Sequence, residues 1–152
     1  MDRIVAFYDR GVALAAGRIP EAVALLLLRV ALAGVFWRSG QTKLLEGGFL
    51  QIDPSQYDLF ASEFSGLPLD PAIAVPITVF AEHVFPMLLF LGIATRFSAG
   101  ALLVMTLVIQ LFVFPDAWWP VHSLWAAMAA ILIVRGGGLF SLEAVAARLR
   151  RK

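Results

Sequence analysis

"ITVFAEHVFPMLLFLG" occupies residues 77–92, with Glu82 and His83 side by side near its middle and Pro86 just beyond. The stretch is greasy enough for hydrocarbon, yet it carries a carboxylic acid and an imidazole. A spanning helix needs about 20 mainly apolar residues, and the wider run 72–92 supplies them. Three more runs of the same kind give expected spans at 21–38, 72–92, 97–114 and 119–135, the last drawing on Trp118 and Trp119. A buried soluble bundle would need polar outer faces, which these runs lack.

Composition agrees. The 152 residues are 61% hydrophobic and 15% charged, against about 25% charged in soluble domains. The length suits a single domain, 1–152. With no cysteine, disulfides, cysteine-ligated clusters and thiol chemistry are excluded. The expected fold is all-α, an integral membrane four-helix bundle. Short amphipathic helices flank it: residues 1–19 carry Ile4, Tyr8, Val12 and Ala15 at helical spacing, and "SLEAVAARLRRK" carries Leu142, Val145, Ala146 and Leu149 behind Ser141 as a cap. Asp9 and Arg10 break residues 1–19 as a secretory signal. In the long loop from Gly47 to Pro71, Tyr57, Phe60, Ala61 and Phe64 predict a short helix over Ser55 to Phe64.

Nine Lys and Arg, namely Arg3, Arg10, Arg18, Arg96, Arg135, Arg148, Arg150, Arg151 and Lys152, would share one side of the membrane, with only Arg38 and Lys43 on the other. That distribution puts both termini in the cytoplasm. The basic end reads as a topology anchor, with no nucleic acid implied.

The acid in the second span needs a counter-charge, because a lone charge at mid-membrane costs at least about 2.5–3.5 kcal/mol. Arg29 in the first span lies about 13 Å above Pro20, and Glu82 about 15 Å above Gly92, at 1.5 Å per residue. Equal depth predicts an Arg29–Glu82 ion pair, either a latch or a working pair. Pro86 cannot donate to the Glu82 carbonyl, so the helix is expected to bend there. Toward the outer end, Arg38, Gln41 and Lys43 follow span one, Gln110 lies in span three, and His122 opens span four. The expectation is that Arg38, Lys43, Gln110 and His122 face one ligand-binding cavity, with the Pro86 bend as its inner wall. Snorkelling and ordinary interhelical hydrogen bonds are the plain alternatives. His83 and His122 lie at different depths, so they cannot be the two axial ligands of one haem, and no zinc or di-iron ligand set is present. No metal is therefore expected, and no covalent cofactor.

The stretches "LRVALAGVFWRSGQTKL" (28–44), "AEHVFPMLLFLGIATRFSAGALL" (81–103) and "VHSLWAAMAAILIVRGGGLFSLE" (121–143) resemble the DoxX family of small four-span membrane proteins. The carriers are Arg29, Gly40 and Lys43, Glu82, and the turn Leu91, Gly92, Thr95, Arg96; Glu143 stands where the family has Asp. The family takes its name from a small subunit of an archaeal thiosulfate:quinone oxidoreductase. The resemblance therefore implies an accessory or quinone-interacting subunit of a bacterial inner-membrane oxidoreductase system for thiol, oxidative or metal stress. On that reading Arg38, Lys43 or His122 would bond a quinone carbonyl, and Glu82 or His83 would accept protons. "WRSGQTK" also resembles a subgroup near iron-dependent peptide-modifying enzymes, which implies a second reading as a non-catalytic scaffold or helper for such partner proteins. A third is a small transporter, which with four spans would have to be a homo-oligomer.

Overall fold

A computed structural model describes residues 2–48 and 50–151. Lys152, counted above with the basic end, lies outside the described residues. The chain runs through α1 (Asp2–Ala15), α2 (Arg18–Gln41), α3 (Ser55–Ser62), α4 (Pro71–Leu91), α5 (Thr95–Phe112), α6 (Ser123–Arg135) and α7 (Leu142–Leu149). Four segments are long and apolar enough to cross a membrane: Arg18–Gln41, Pro71–Leu91, Thr95–Phe112 and Pro115–Arg135. The all-α four-span bundle expected from the sequence is the fold, with both terminal helices and the loop helix present.

Local chemistry sets the boundaries. Asp70 caps α4 by accepting from the Ala72 N–H at 2.8 Å, and Pro71 takes the first helical position, where its missing N–H costs nothing. The helix stops at Gly92, in the left-handed region at φ 69°. Ser141 caps α7 through the Ala144 N–H. The α-helix of the fourth span begins only at Ser123. Before it, a short 3-10 turn (Pro115–Ala117) leads into a wide π turn (Trp118–His122), so the span starts earlier than the expected 119 but is less regular there.

The apolar core joins all four spans through Leu32, Phe36, Leu89, Leu102 and Leu132. At one end, here the loop end, Phe60 of α3 packs on Ala74, Val75 and Val79 of α4, capping the bundle. The start of α2 and the segment leading into α7 lie at the opposite end, here the termini end, where Arg135 is paired with Glu21. Lys43 follows α2 in a small hairpin closed by the Leu44–Ile52 bridge and by the Asp53 N–H donating to the Lys43 carbonyl at 3.0 Å.

The register between α2 and α4 comes from two glycines. A side-chain carbon at Gly40 would fall 2.7 Å from His83 Cε1 and 3.1 Å from Glu82 Cβ, and one at Gly92 would collide with the Arg29 guanidinium. Glu82 is therefore level with Gly40, and Arg29 with Gly92. Eleven residues of helix, about 16 Å at 1.5 Å per residue, separate the two charges. Pro20 was a misleading depth marker, because the first turns of α2 run past the α4–α5 turn. There, space beside Leu25 is filled by Gly138 of the loop before α7.

The arrangement predicts opposite exposure of its ends. In this cysteine-free chain, single cysteines at Ser62 and Ala94 should react with an impermeant maleimide from opposite sides of the membrane. Labelling of both from one side would contradict four spans.

Candidate functional site

Glu82 is 2% exposed and reaches toward the end of α2. Its cation is Lys43. The ammonium lies 2.7 Å from Oε2, an ion contact outside hydrogen-bond alignment, and Ser39 Oγ donates to Oε1 at 2.9 Å. Lys43 Nζ also donates to Ser39 Oγ at 3.1 Å and to the Ser39 carbonyl at 3.2 Å. The expected Arg29–Glu82 pair is thus not formed, because the two charges occupy different levels. Lys43 lies beyond the last helical residue, Gln41, and the hairpin turns its flexible side chain back into the bundle.

Arg29 sits at the termini end, 1% exposed, and donates through Nη2 to the Phe140 carbonyl at 2.8 Å. Glu143 provides nearby negative charge. Its carboxylate accepts from the Gly137 N–H at 3.1 Å and from the Thr95 N–H at 3.3 Å, so it also caps α5. Glu143 was noted in the sequence only as a departure from a family pattern. Its part in this cluster needed the closure of the chain to become visible.

Glu82 and His83 are neighbours in sequence but serve different surroundings. The His83 ring stands edge-on to Trp37, with centroids 5.2 Å apart. Nδ1–H donates to the Val79 carbonyl at 2.7 Å, which leaves Nε2 to accept from Gln41 Nε2–H at 2.9 Å. His83 is fully engaged there and does not line the space that Glu82 faces.

That space is a cavity of about 650 Å³ in the loop-end half of the bundle, within the ~300–1,000 Å³ typical of small-ligand sites. Its wall is mainly apolar, with Phe36, Phe85, Met105 and Trp125, and Phe60 and Phe64 roof it from the capping helix and the turn after it. Ser39, Lys43 and Glu82 form a polar patch on one side, and His122 forms another. Ile77 of α4 and Val104 of α5 line it too, and they are 55% and 61% exposed on the bundle surface. The cavity therefore reaches the lipid-facing surface between the second and third spans.

Of the four expected cavity residues, Lys43 and His122 line it. Gln110 stands behind His122. Its Nε2 donates to the Pro115 carbonyl, so its Oε1 must accept from His122 Nδ1–H, at 2.7 Å. This places a proton on Nδ1 and, in the neutral ring, leaves none on Nε2. His122 Nε2, with no protein hydrogen bond among the described residues, is then a bare acceptor. Arg38 is elsewhere. Successive helical residues point about 100° apart, so Phe36 and Ser39 share the cavity side while Arg38 is exposed on the face toward Pro86 and Met87. Pro86, expected at the inner wall of the cavity, lines that outside groove instead, and its neighbour Phe85 stands in the cavity wall.

The sequence profile of the DoxX family matches residues 24–115, a stretch that contains Arg29, Ser39, Lys43, Glu82 and Gln110. A Haemophilus influenzae protein, described as an uncharacterized protein, is 30% identical over 141 aligned positions, covering 82% of this chain and 84% of the relative. No solved structure matches the chain.

The geometry separates two ion-pair hypotheses by experiment. Removing one partner of a buried pair costs about 3–5 kcal/mol. Glu82→Gln combined with Lys43→Met should lose much less stability than the sum of the single changes, whereas Glu82→Gln and Arg29→Leu should add. Thermal unfolding in detergent would show it; coupling in the second cycle and none in the first would reverse the assignment.

Proposed function

This chain belongs to the DoxX family of membrane proteins, and on that premise we propose that it is a quinone-interacting accessory subunit of a membrane oxidoreductase system. The observation that carries the reading is the cavity: apolar over most of its wall, polar at two places, and open toward lipid between α4 and α5. A quinone has an apolar ring, two oxygens at opposite ends and a hydrocarbon tail. The ring suits the aromatic wall, and the tail suits the gap at Ile77 and Val104.

The two polar patches differ in hydrogen-bond sense. At the first, the Lys43 ammonium is the donor that suits the carbonyl of an oxidised quinone, since the Ser39 hydroxyl proton is held by Glu82. His122 Nε2 is an acceptor, which suits the hydroxyl of the reduced quinol and can take its proton. Glu82, whose Oε2 contacts the Lys43 ammonium at 2.7 Å, is the second proton acceptor at the site. His83, with both ring nitrogens occupied, has no part in this reading. Among the described residues no three or more His, Cys, Asp and Glu side chains converge as a metal site. Electrons exchanged with the quinone would therefore pass to or from a partner protein. The bias of Lys and Arg toward the termini end supports a cytoplasmic location for both termini and a bacterial plasma membrane as host, with the cavity in the outer leaflet.

Binding of decylubiquinone and decylubiquinol to the purified chain tests the proposal. Hydrogen bonds to charged groups are worth about 1.5–3 kcal/mol, and 1.4 kcal/mol is tenfold in affinity. The Lys43→Met, Glu82→Gln double variant should weaken quinone binding about tenfold or more. His122→Phe should weaken quinol binding more than quinone binding. Absence of saturable binding to the unaltered chain, or affinities unmoved by either variant, would leave the helper reading in its place.

A further inference from the structure

A second concavity lies outside the bundle, on the seam between α2 and α4. It holds about 360 Å³ and its wall is almost wholly apolar, formed by Val30, Ala33, Gly34, Pro86, Met87 and Phe90, with Trp37 and Arg38 at its loop-end rim. The groove is deep where Gly34 has no side chain. A Cβ added there would meet nothing within 4 Å. Its walls project outward, with Met87 50% and Phe90 57% exposed. It shares no lining residue with the cavity described above.

Arg38 makes the groove more than a furrow. Its side chain is exposed and forms no ion pair or side-chain hydrogen bond among the described residues. The nearest cation in sequence, Lys43, is already committed to Glu82. An unneutralised guanidinium thus stands at the polar end of an apolar trough that faces the bilayer. A guanidinium binds phosphate oxygens in a two-pronged geometry. The geometry points to a bound anionic phospholipid, with its phosphate on Arg38 and one acyl chain laid along Gly34 toward Phe90. A second copy of the chain fits less well. A parallel two-fold contact over this face would bring two Arg38 side chains together, and no acid on the rim would offset them. A zwitterionic lipid would bring an ammonium group to a rim that has no carboxylate bonded to Arg38.

The inference is independent of the quinone reading, since the test uses neither the cavity nor its residues. Native mass spectrometry of the whole chain, purified into mixtures of phosphatidylglycerol and phosphatidylcholine, reads which lipid is retained. One arginine beside an anionic head is worth about 1 kcal/mol, so the preference for phosphatidylglycerol should be about fivefold. Arg38→Gln should abolish the preference while leaving some lipid bound. Gly34→Leu, whose side chain grows into open groove, should remove the retained lipid without lowering the thermal stability of the bundle. As a second measurement, brominated phosphatidylglycerol should quench Trp37 in a chain whose other tryptophans are Phe, and Gly34→Leu should relieve that quenching. Equal retention of both lipids by the unaltered chain, a preference that survives Arg38→Gln, or a change of oligomeric state as the main effect of Gly34→Leu would each overturn the proposal.

Discussion

Glu82 can remain in the apolar loop-end half of this bundle only because a cation and a hydroxyl meet it there. Lys43 and Ser39 do so, and the contact is possible because Gly40 lets α2 and α4 approach within the width of a missing methyl group. Much else depends on that approach. It sets the register of the first two spans, sends Arg29 to the other end, and turns His83 away toward Trp37. It also leaves one polar patch on the wall of an otherwise greasy cavity.

The spans arrange their polar groups in two layers. At the loop end are Lys43, Ser39 and Glu82, with His122 held by Gln110 across the cavity. At the termini end are Arg29, Glu143, Ser141 and the first turn of α5. Between them lies packed Leu, Phe and Ala. The two layers differ in character. Beside the termini-end cluster, chain segments fill the space that side chains at Gly92 and Gly137 would need. The loop-end layer borders open volume. Arg29 thus stands in packed surroundings, and Lys43 and His122 beside a cavity.

How much could be read from the chain alone follows from how local each determinant is. The four spans were legible because hydrocarbon demands long apolar helices, and the flanking helices because their apolar residues recur at helical spacing. The polar partnerships were less so. Depth counted from Pro20 and Gly92 assumed that the spans begin level, and the protrusion of α2 broke the assumption. Lys43 is expected in the cavity, but its contact with Glu82 is not legible, because nothing in "GQTKL" announces the hairpin that folds it inward. Arg38 and Lys43 looked equivalent by composition, yet five positions on a helix end are enough to put one outside and the other within. Gln110 and His122 are both expected at the cavity, but their order, one behind the other, depends on the π turn at Trp118–His122, which no short motif signals.

The two buried charges, Glu82 and Arg29, also differ in when their surroundings can form. A chain made from its N-terminus has Lys43 in existence before Glu82, so the acid meets its cation as soon as the first two spans come together. Arg29 is synthesised early, but the Phe140 carbonyl that accepts from it and the nearby charge of Glu143 follow all four spans. Until the last loop folds back beneath the α4–α5 turn, the first span carries an uncompensated arginine. Biogenesis of this bundle therefore has a built-in final step: the Lys43–Glu82 contact joins spans one and two midway through synthesis, and Arg29 of the same hairpin gains its acceptor only when the tail has docked.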